Sequence, residues 1–265
     1  MAERQVINPA SMHRGVFSHA LRVGEELYIG AQLPTTAEGR LVAADVETQA
    51  GTSFRHMQTI LSEAGATWAD LVKLNIYLTD LRHTAAVLAV RDRYIAAPCP
   101  ATTVVAIERL VIPGACLITE GMALIPGTDL RKEASTSMEE RRVIDPAGLP
   151  EPGLFSQGLR VGDTLYISGQ LPIDANRNLV GPDDIIAQTE CVFGYLRSIL
   201  EAAGGGLEHL VKLNIYLTRM QDYEGFKLAR SRVLTPPYPI STLVAVKGLV
   251  VPGALLEVEG VALLR

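Results

Sequence analysis

A chain of 265 residues with 48% hydrophobic and 20% charged side chains can bury one large core or two ordinary ones, and its composition is neither disordered nor collagen-like. A net charge of -5 with scattered basic residues lacks the electrostatic footprint of a nucleic-acid binder, and 5% aromatic residues leave few platforms for stacked bases. Cys99, Cys116 and Cys191 lie far apart without a CxxC pair, which speaks against a disulfide framework or a zinc site and for small buried hydrophobes.

The N-terminal stretch MAERQVINPASMHRG has no apolar run. No segment reaches the roughly 18 apolar residues of a membrane span, so no membrane partner is expected and the expected location is the cytoplasm. The first elements are two short β-rich runs, GVFSHALRV and EELYIGAQ, joined at Gly24-Glu25 as a hairpin. A helical spacing follows in Val46, Ala50, Phe54, Met57, Ile60 and Leu61, stopping at EAG, where glycine suits a helix C-terminus.

LVKLNIYLT, from Leu71 to Thr79, alternates with Leu71, Lys73, Asn75, Tyr77 and Thr79 on one face and Val72, Leu74, Ile76 and Leu78 on the other, which predicts a strand. A second helix is predicted over roughly Leu81 to Ala96, then strands at Thr102 to Glu108 and Cys116 to Leu124.

The nonamer recurs letter for letter at Leu210 to Thr218. RVGEELYIGAQLP is matched by RVGDTLYISGQLP, and VIPGACLITEGMALI by VVPGALLEVEGVALL, so nearly all of each half is duplicated. The second half repeats the hairpin joint at Gly162-Asp163, a helical spacing from Ile185 to Leu200, a second helix from Met220 to Leu234, and strands at Ser241 to Lys247 and Leu255 to Leu263. The polar stretch PGTDLRKEASTSMEERR between the halves reads as a linker. The expected organisation is a first domain over 1-126, a linker over 127-142 and a second domain over 143-265, each an α+β sheet with two helices on one face.

LYISGQLP, LVKLNIYLTRMQDY, PPYPIST and VVPGALLEVEGVAL, with their first-half counterparts, resemble the RidA/YjgF family of reactive-intermediate deaminases almost end to end. The resemblance implies two chorismate-mutase-like domains, association in threes with ligand clefts between neighbours, and hydrolysis of imines or enamines to ammonia and 2-keto acids. It also implies an arginine at the start of the penultimate strand, where a planar guanidinium can grip the substrate carboxylate through two parallel hydrogen bonds. Here that position is Thr102 in the first copy and Ser241 in the second. A hydroxyl carries no charge and cannot replace the fork. Lys247, six residues beyond Ser241, lies about 20 Å along the strand and is too far to substitute.

Other positions implied by the resemblance survive unevenly. The ligand-holding Ser-Gly-Gln is Ser168, Gly169 and Gln170 in the second copy but Gly30, Ala31 and Gln32 in the first. The aromatic lid is Phe17 and Phe155, without a tyrosine hydroxyl. The carboxylate that positions attacking water corresponds to Glu257, against Ile118 in the first copy, while Glu120 and Glu259 are present in both.

Glu257 is therefore the candidate acid/base, since burial of a carboxyl favours its protonated form; Ser168, Gly169, Gln170, Ser241, Glu259, Phe155, Phe17, Gln32, Thr102 and Glu120 are candidate binding residues. The alternative for Glu257 is a solvated strand carboxylate, and for Glu120 and Glu259 a strand-edge or intersubunit hydrogen bond. His19, facing Gln157 in the other copy, reads as a polar residue at the cleft edge. The remaining histidines show no metal-ligand spacing, and neither a phosphate loop nor a nucleophile elbow is present, so no metal or cofactor is implied.

Three functions follow: an enzyme acting on a small nitrogenous or carbonyl metabolite, distinct from the standard 2-iminopropionate deaminase; a binding module that senses a metabolite; or a ribonuclease, against which charge and composition argue. If the domains pack in threes, a homotrimer of six domains leaves none unpaired.

Overall fold

The computed structural model describes residues 4–125, 141–152 and 155–264; residues 127–140 of the expected linker lie outside them. The described residues form two compact units, one of 4–100 and 106–125, the other of 101–105, 141–152 and 155–264.

In the first unit β1 (Arg4–Ile7), β2 (Ala20–Val23), β3 (Glu26–Gln32), β6 (Leu117–Leu124) and β4 (Leu71–Leu78) pair antiparallel in that order. In the second unit the order is β7 (Arg141–Ile144), β8 (Gly158–Val161), β9 (Thr164–Gln170), β13 (Leu256–Leu263), β10 (Leu210–Leu217) and β11 (Ile240–Ala245), with β11 parallel to β10 at one edge. Strand β5 (Ala101–Ala106) contributes residues 101–105 to the second unit, which also contains the two-residue β12 (Gly248–Leu249).

Helix α1 (Val46–Glu63) begins where Asp45 accepts the Thr48 N–H at 2.8 Å, and ends two residues before Gly65, whose φ of 75° suits the left-handed helix end. Helix α3 (Ile185–Ala202) repeats both devices with Asp184 and Gly204. These are the expected helices, and the first ends at the expected EAG while the second ends at EAAG. The second helix of each half starts where expected, and only that of the first half stops well short, at Arg91 instead of near Ala96. Each opens as a 3-10 turn over Leu81–His83 or Met220–Asp222 and continues as α2 (Thr84–Arg91) or α4 (Tyr223–Val233). Phe193, Leu196 and Ile199 of α3 and Phe226 of α4 pack on Leu213, Ile215, Leu256 and Val258 of the sheet to form the second core. The side chains of Arg22 and Arg160 bond the helix-end carbonyls of Ala64 and Ala203 at 3.3 and 2.7 Å, so each clamps a hairpin to the long helix.

Two features depart from the sequence expectation. Strands β1 and β7 precede the first expected hairpin; each buries only its terminal isoleucine, Ile7 or Ile144, so the apolar alternation is too short to signal a strand. The repeated nonamer also does not alternate to its end. The pairing slips between Leu210 and Lys212, and between Leu71 and Lys73, as a β-bulge. A bulge inserts one residue and reverses the facing of those before it, so Leu210 enters the core while Val211 is 38% exposed. The cysteines are half-buried rather than fully buried.

The bulge leaves no room opposite it. A Cβ on Gly121 would stand 2.9 Å from the Lys73 carbonyl oxygen and 3.0 Å from Met57 Cε. Gly121→Ala is expected to cost about 1–3 kcal/mol by overpacking. Gly194→Ala, in α3 with nothing within 4 Å of the added carbon, is expected to stabilise by about 0.5–1 kcal/mol. Chemical denaturation of the two variants checks the opposite signs.

Candidate functional site

Helices cover one face of the second sheet, because Leu256 and Val258 of β13 and Leu213, Ile215 and Leu217 of β10 all belong to the helix-side core. Strand alternation therefore turns Glu257, Glu259, Asn214 and Tyr216 to the other face. Glu257 and Glu259 are buried there, at 2% and 3% exposure.

Glu259 is held from three directions. Asn214 Nδ2 and Tyr216 OH donate to its Oε1 at 2.7 and 3.1 Å, and Thr103 Oγ1 donates to its Oε2. The first unit repeats the core of this arrangement: Asn75 Nδ2 and Tyr77 OH donate to Glu120 Oε1 at 3.1 and 2.8 Å. The polar face of the duplicated nonamer is thus a carboxylate clamp. Thr103, Asn214 and Tyr216 were not singled out from sequence. Their signal was present, since Asn and Tyr recur in the repeat and Thr242 stands at the place of Thr103 in the second copy.

Glu257 occupies space that Gly169 leaves open. A Cβ on Gly169 would stand 1.8 Å from Glu257 Oε1 and 2.7 Å from its Cδ, so a side chain here would force the Glu257 carboxyl to move. The first copy has the alternative pair, Ala31 and Ile118.

Beside Gly169, the buried Ser168 hydroxyl donates to the Ser156 carbonyl and accepts the Thr102 N–H at 2.8 Å. Gln170 Nε2 donates to Gln157 Oε1 at 2.9 Å and to the Ser168 carbonyl at 3.1 Å, which fixes the strand where β9 slips against β13. Gln32 does the same in the first unit, donating to the Gly30 carbonyl at 2.9 Å, with His19 Nδ1 3.3 Å from its Oε1. His19 and Gln157 are buried braces between loop and strand. The Gln157 N–H is accepted by Asp145 at 2.7 Å; burial pushes that carboxyl above its ordinary value despite this hydrogen bond, which favours the charged form.

Phe17 is 54% exposed, with its ring 5.3 Å from that of His19, edge to face. Phe155 is half-buried.

Glu257, Gly169, Ser168, Glu259 and Thr102 thus gather in the second unit. Ser241 does not join them. It pairs with Leu213 while Glu257 pairs with Tyr216, three residues along and two strands across, a separation of roughly 14 Å. It also shares a strand face with Leu243, which packs on the helix-side core, opposite to Glu257. Among the described residues no group of three or more His, Cys, Asp or Glu is placed to hold a metal, and no helix is long and apolar enough to cross a membrane.

The Endoribonuclease L-PSP family profile matches residues 8–124 and again 149–264. The chain is similar to the 3-aminoacrylate deaminase RutC of Acinetobacter baylyi, at 32% identity over 46% of this chain and 97% of that protein. It is also similar to the 2-iminobutanoate/2-iminopropanoate deaminase of Dermatophagoides farinae, at 27% identity over 48% of this chain and 100% of that protein. Among solved structures a chorismatase aligns over 95% of this chain and 78% of its own with a TM-score of 0.71, and at 14% identity this likeness shows the fold alone. The chain belongs to the Endoribonuclease L-PSP family, as a tandem pair of the RidA/YjgF-type domains that its repeated motifs resemble.

Proposed function

We propose that the chain is an enzyme of the second unit, within domain limits 1-126 and 143-265, that hydrolyses a small imine, enamine or related carbonyl compound with Glu257 as general acid/base. The supporting observation is the buried Glu257 carboxylate above Gly169, next to Ser168 and the backbone of Thr102. In this reading the carboxylate takes a proton from water as the oxygen adds to the C=N carbon. That proton passes to nitrogen to give a carbinolamine, whose hydroxyl proton the carboxylate then carries to nitrogen as the C–N bond breaks, so ammonia leaves and a carbonyl remains.

Two similar proteins are named as deaminases of small unsaturated nitrogen compounds, which favours this reaction class. Divergence from 2-iminopropionate chemistry rests on Thr102, which has no charge to offer a substrate carboxylate, and on Glu259, whose oxygens already accept from Asn214, Tyr216 and Thr103. The reading needs no cofactor and places the protein in the cytoplasm. A ribonuclease, as the family description reads, fits a net charge of -5 and 5% aromatic residues poorly.

Glu257→Gln is expected to lower ammonia release from a panel of neutral imines and enamines by about 100-fold or more while leaving the melting temperature near wild type. Wild-type protein is expected to release little ammonia from freshly generated 2-iminopropionate. Rapid release from that compound contradicts the divergence, and ligand binding with no turnover of any panel member supports a sensing module instead.

Self-association belongs to the same reading. Residues 101–103 of β5 are buried, whereas Ile240 and Val244 on the edge strand β11 are 71% and 42% exposed beside exposed Thr242. Thr242 matches Thr103, and Glu120 matches Glu259, so a second copy offering Glu120 supplies the partner that β11 lacks. Light scattering is expected to give about three times the chain mass of 28.6 kDa, and Thr242→Lys to lower it; a single-chain mass at working concentration contradicts the assembly.

A further inference from the structure

The register that superposes the two nonamers also pairs the residues that close off the long helices, and there the copies differ in a consistent way. In the first unit Trp68 and Tyr94 pack with Phe54 of α1. The Trp68 and Tyr94 ring centroids are 5.5 Å apart, and they lie 6.1 and 5.7 Å from that of Phe54. The Trp68 indole N–H is buried and has no hydrogen-bond partner among the described residues, so packing holds the ring.

The second unit keeps the phenylalanine as Phe193 but has Leu207 in place of Trp68 and Val233 in place of Tyr94. Two short aliphatic chains thus stand where the first copy has two rings. A cavity of about 420 Å³ lies here, with Leu207, Val233 and Pro237 in its wall.

Three further exchanges bring charge to the same cavity: Arg197 replaces Gln58, Glu201 replaces Ser62, and Glu208 replaces Ala69. Among the described residues Arg197 and Glu201 form no ion pair, whereas Glu190 of the same helix does, with Arg232. Glu208 lies 3.3 Å from His209 Nδ1. That nitrogen accepts the Gly206 N–H at 3.0 Å, so it holds no proton for the carboxylate. The lining carries two carboxylates against one guanidinium, an excess of negative charge.

We infer that this cavity binds a small aromatic amine, whose ring takes the place filled by Trp68 and Tyr94 in the first copy and whose ammonium group meets Glu201 and Glu208. An aromatic guest restores the contacts that the missing rings supply in the first copy. A carboxylate on the same ring is disfavoured by the excess negative charge. The cavity is built on the helices and their exits, whereas Glu257 lies on the sheet face turned away from them, so the assignment stands whether or not Glu257 is catalytic.

The test is calorimetric titration of the full chain with tryptamine, and with indole-3-acetate as the same ring bearing the opposite charge. Wild-type protein is expected to bind tryptamine saturably, and about threefold or more tighter than indole-3-acetate. The double variant Leu207→Trp with Val233→Tyr, which rebuilds the first-copy rings, is expected to weaken tryptamine binding about tenfold or more while keeping the melting temperature at or above wild type.

Glu201→Ser with Glu208→Ala copies the first-copy lining without touching the apolar wall, and is expected to abolish the preference for tryptamine; it decides the matter if the ring variant does not fold. Glu257→Gln is expected to leave tryptamine binding unchanged while lowering turnover, so failure of this site and failure of the proposed reaction give different results. Absence of saturable tryptamine binding to wild type, tighter binding of indole-3-acetate, wild-type affinity in the folded ring variant, or an undiminished preference in the carboxylate variant overturns the assignment.

Discussion

The Glu257 carboxyl group takes its place in this sheet above a residue that has no side chain. Glu257 Oε1 lies 1.8 Å from where a Cβ of residue 169 would be, well inside any permitted contact. Glycine at that position and glutamate on β13 are therefore one structural decision. The first copy made the other choice, with Ala31 and Ile118, and gave up the buried acid while keeping the surrounding strands. The two halves differ at this pair of positions while sharing the surrounding strands.

The same sheet shows why nine consecutive residues were retained twice. One face of the nonamer fills the core beneath the helices, through Leu213, Ile215 and Leu217 in the second copy. The other face carries an asparagine and a tyrosine that bind a glutamate on the neighbouring strand, Glu120 or Glu259. Buried carboxylates are costly unless hydrogen-bonded, so neither polar residue can be lost alone without exposing that cost. Packing explains the apolar letters of the repeat, and the carboxylate clamp explains the polar ones.

Much of this was legible in the sequence because periodicity and punctuation act locally. The long helices, their glycine ends and the Gly24-Glu25 hairpin are set by neighbouring residues, and the duplication tested each reading twice. What escaped depends on contacts between distant residues or on slips in register. The bulge that turns Leu210 inward and Val211 outward leaves no trace in the alternation itself. Strands β1 and β7 each bury a single isoleucine, too little for a period, although RQVI and RRVI match one another. Ser241 was grouped with Glu257 because sequence position sets which residues correspond between copies, but not which share a cleft. In the second unit the strand lying beside Ser168 is the one that carries Thr102 and Thr103.

The coupling between residues 169 and 257 tests the central claim most directly. Unfolding free energies of Gly169→Ala, of Glu257→Ile and of the double variant, which copies the first-half pair, form a closed cycle. The account predicts that alanine at 169 is strongly destabilising beside Glu257 and well tolerated beside isoleucine, with a coupling of about 1–3 kcal/mol. Effects that add to within about 0.5 kcal/mol would show that the carboxylate does not occupy the space above Gly169.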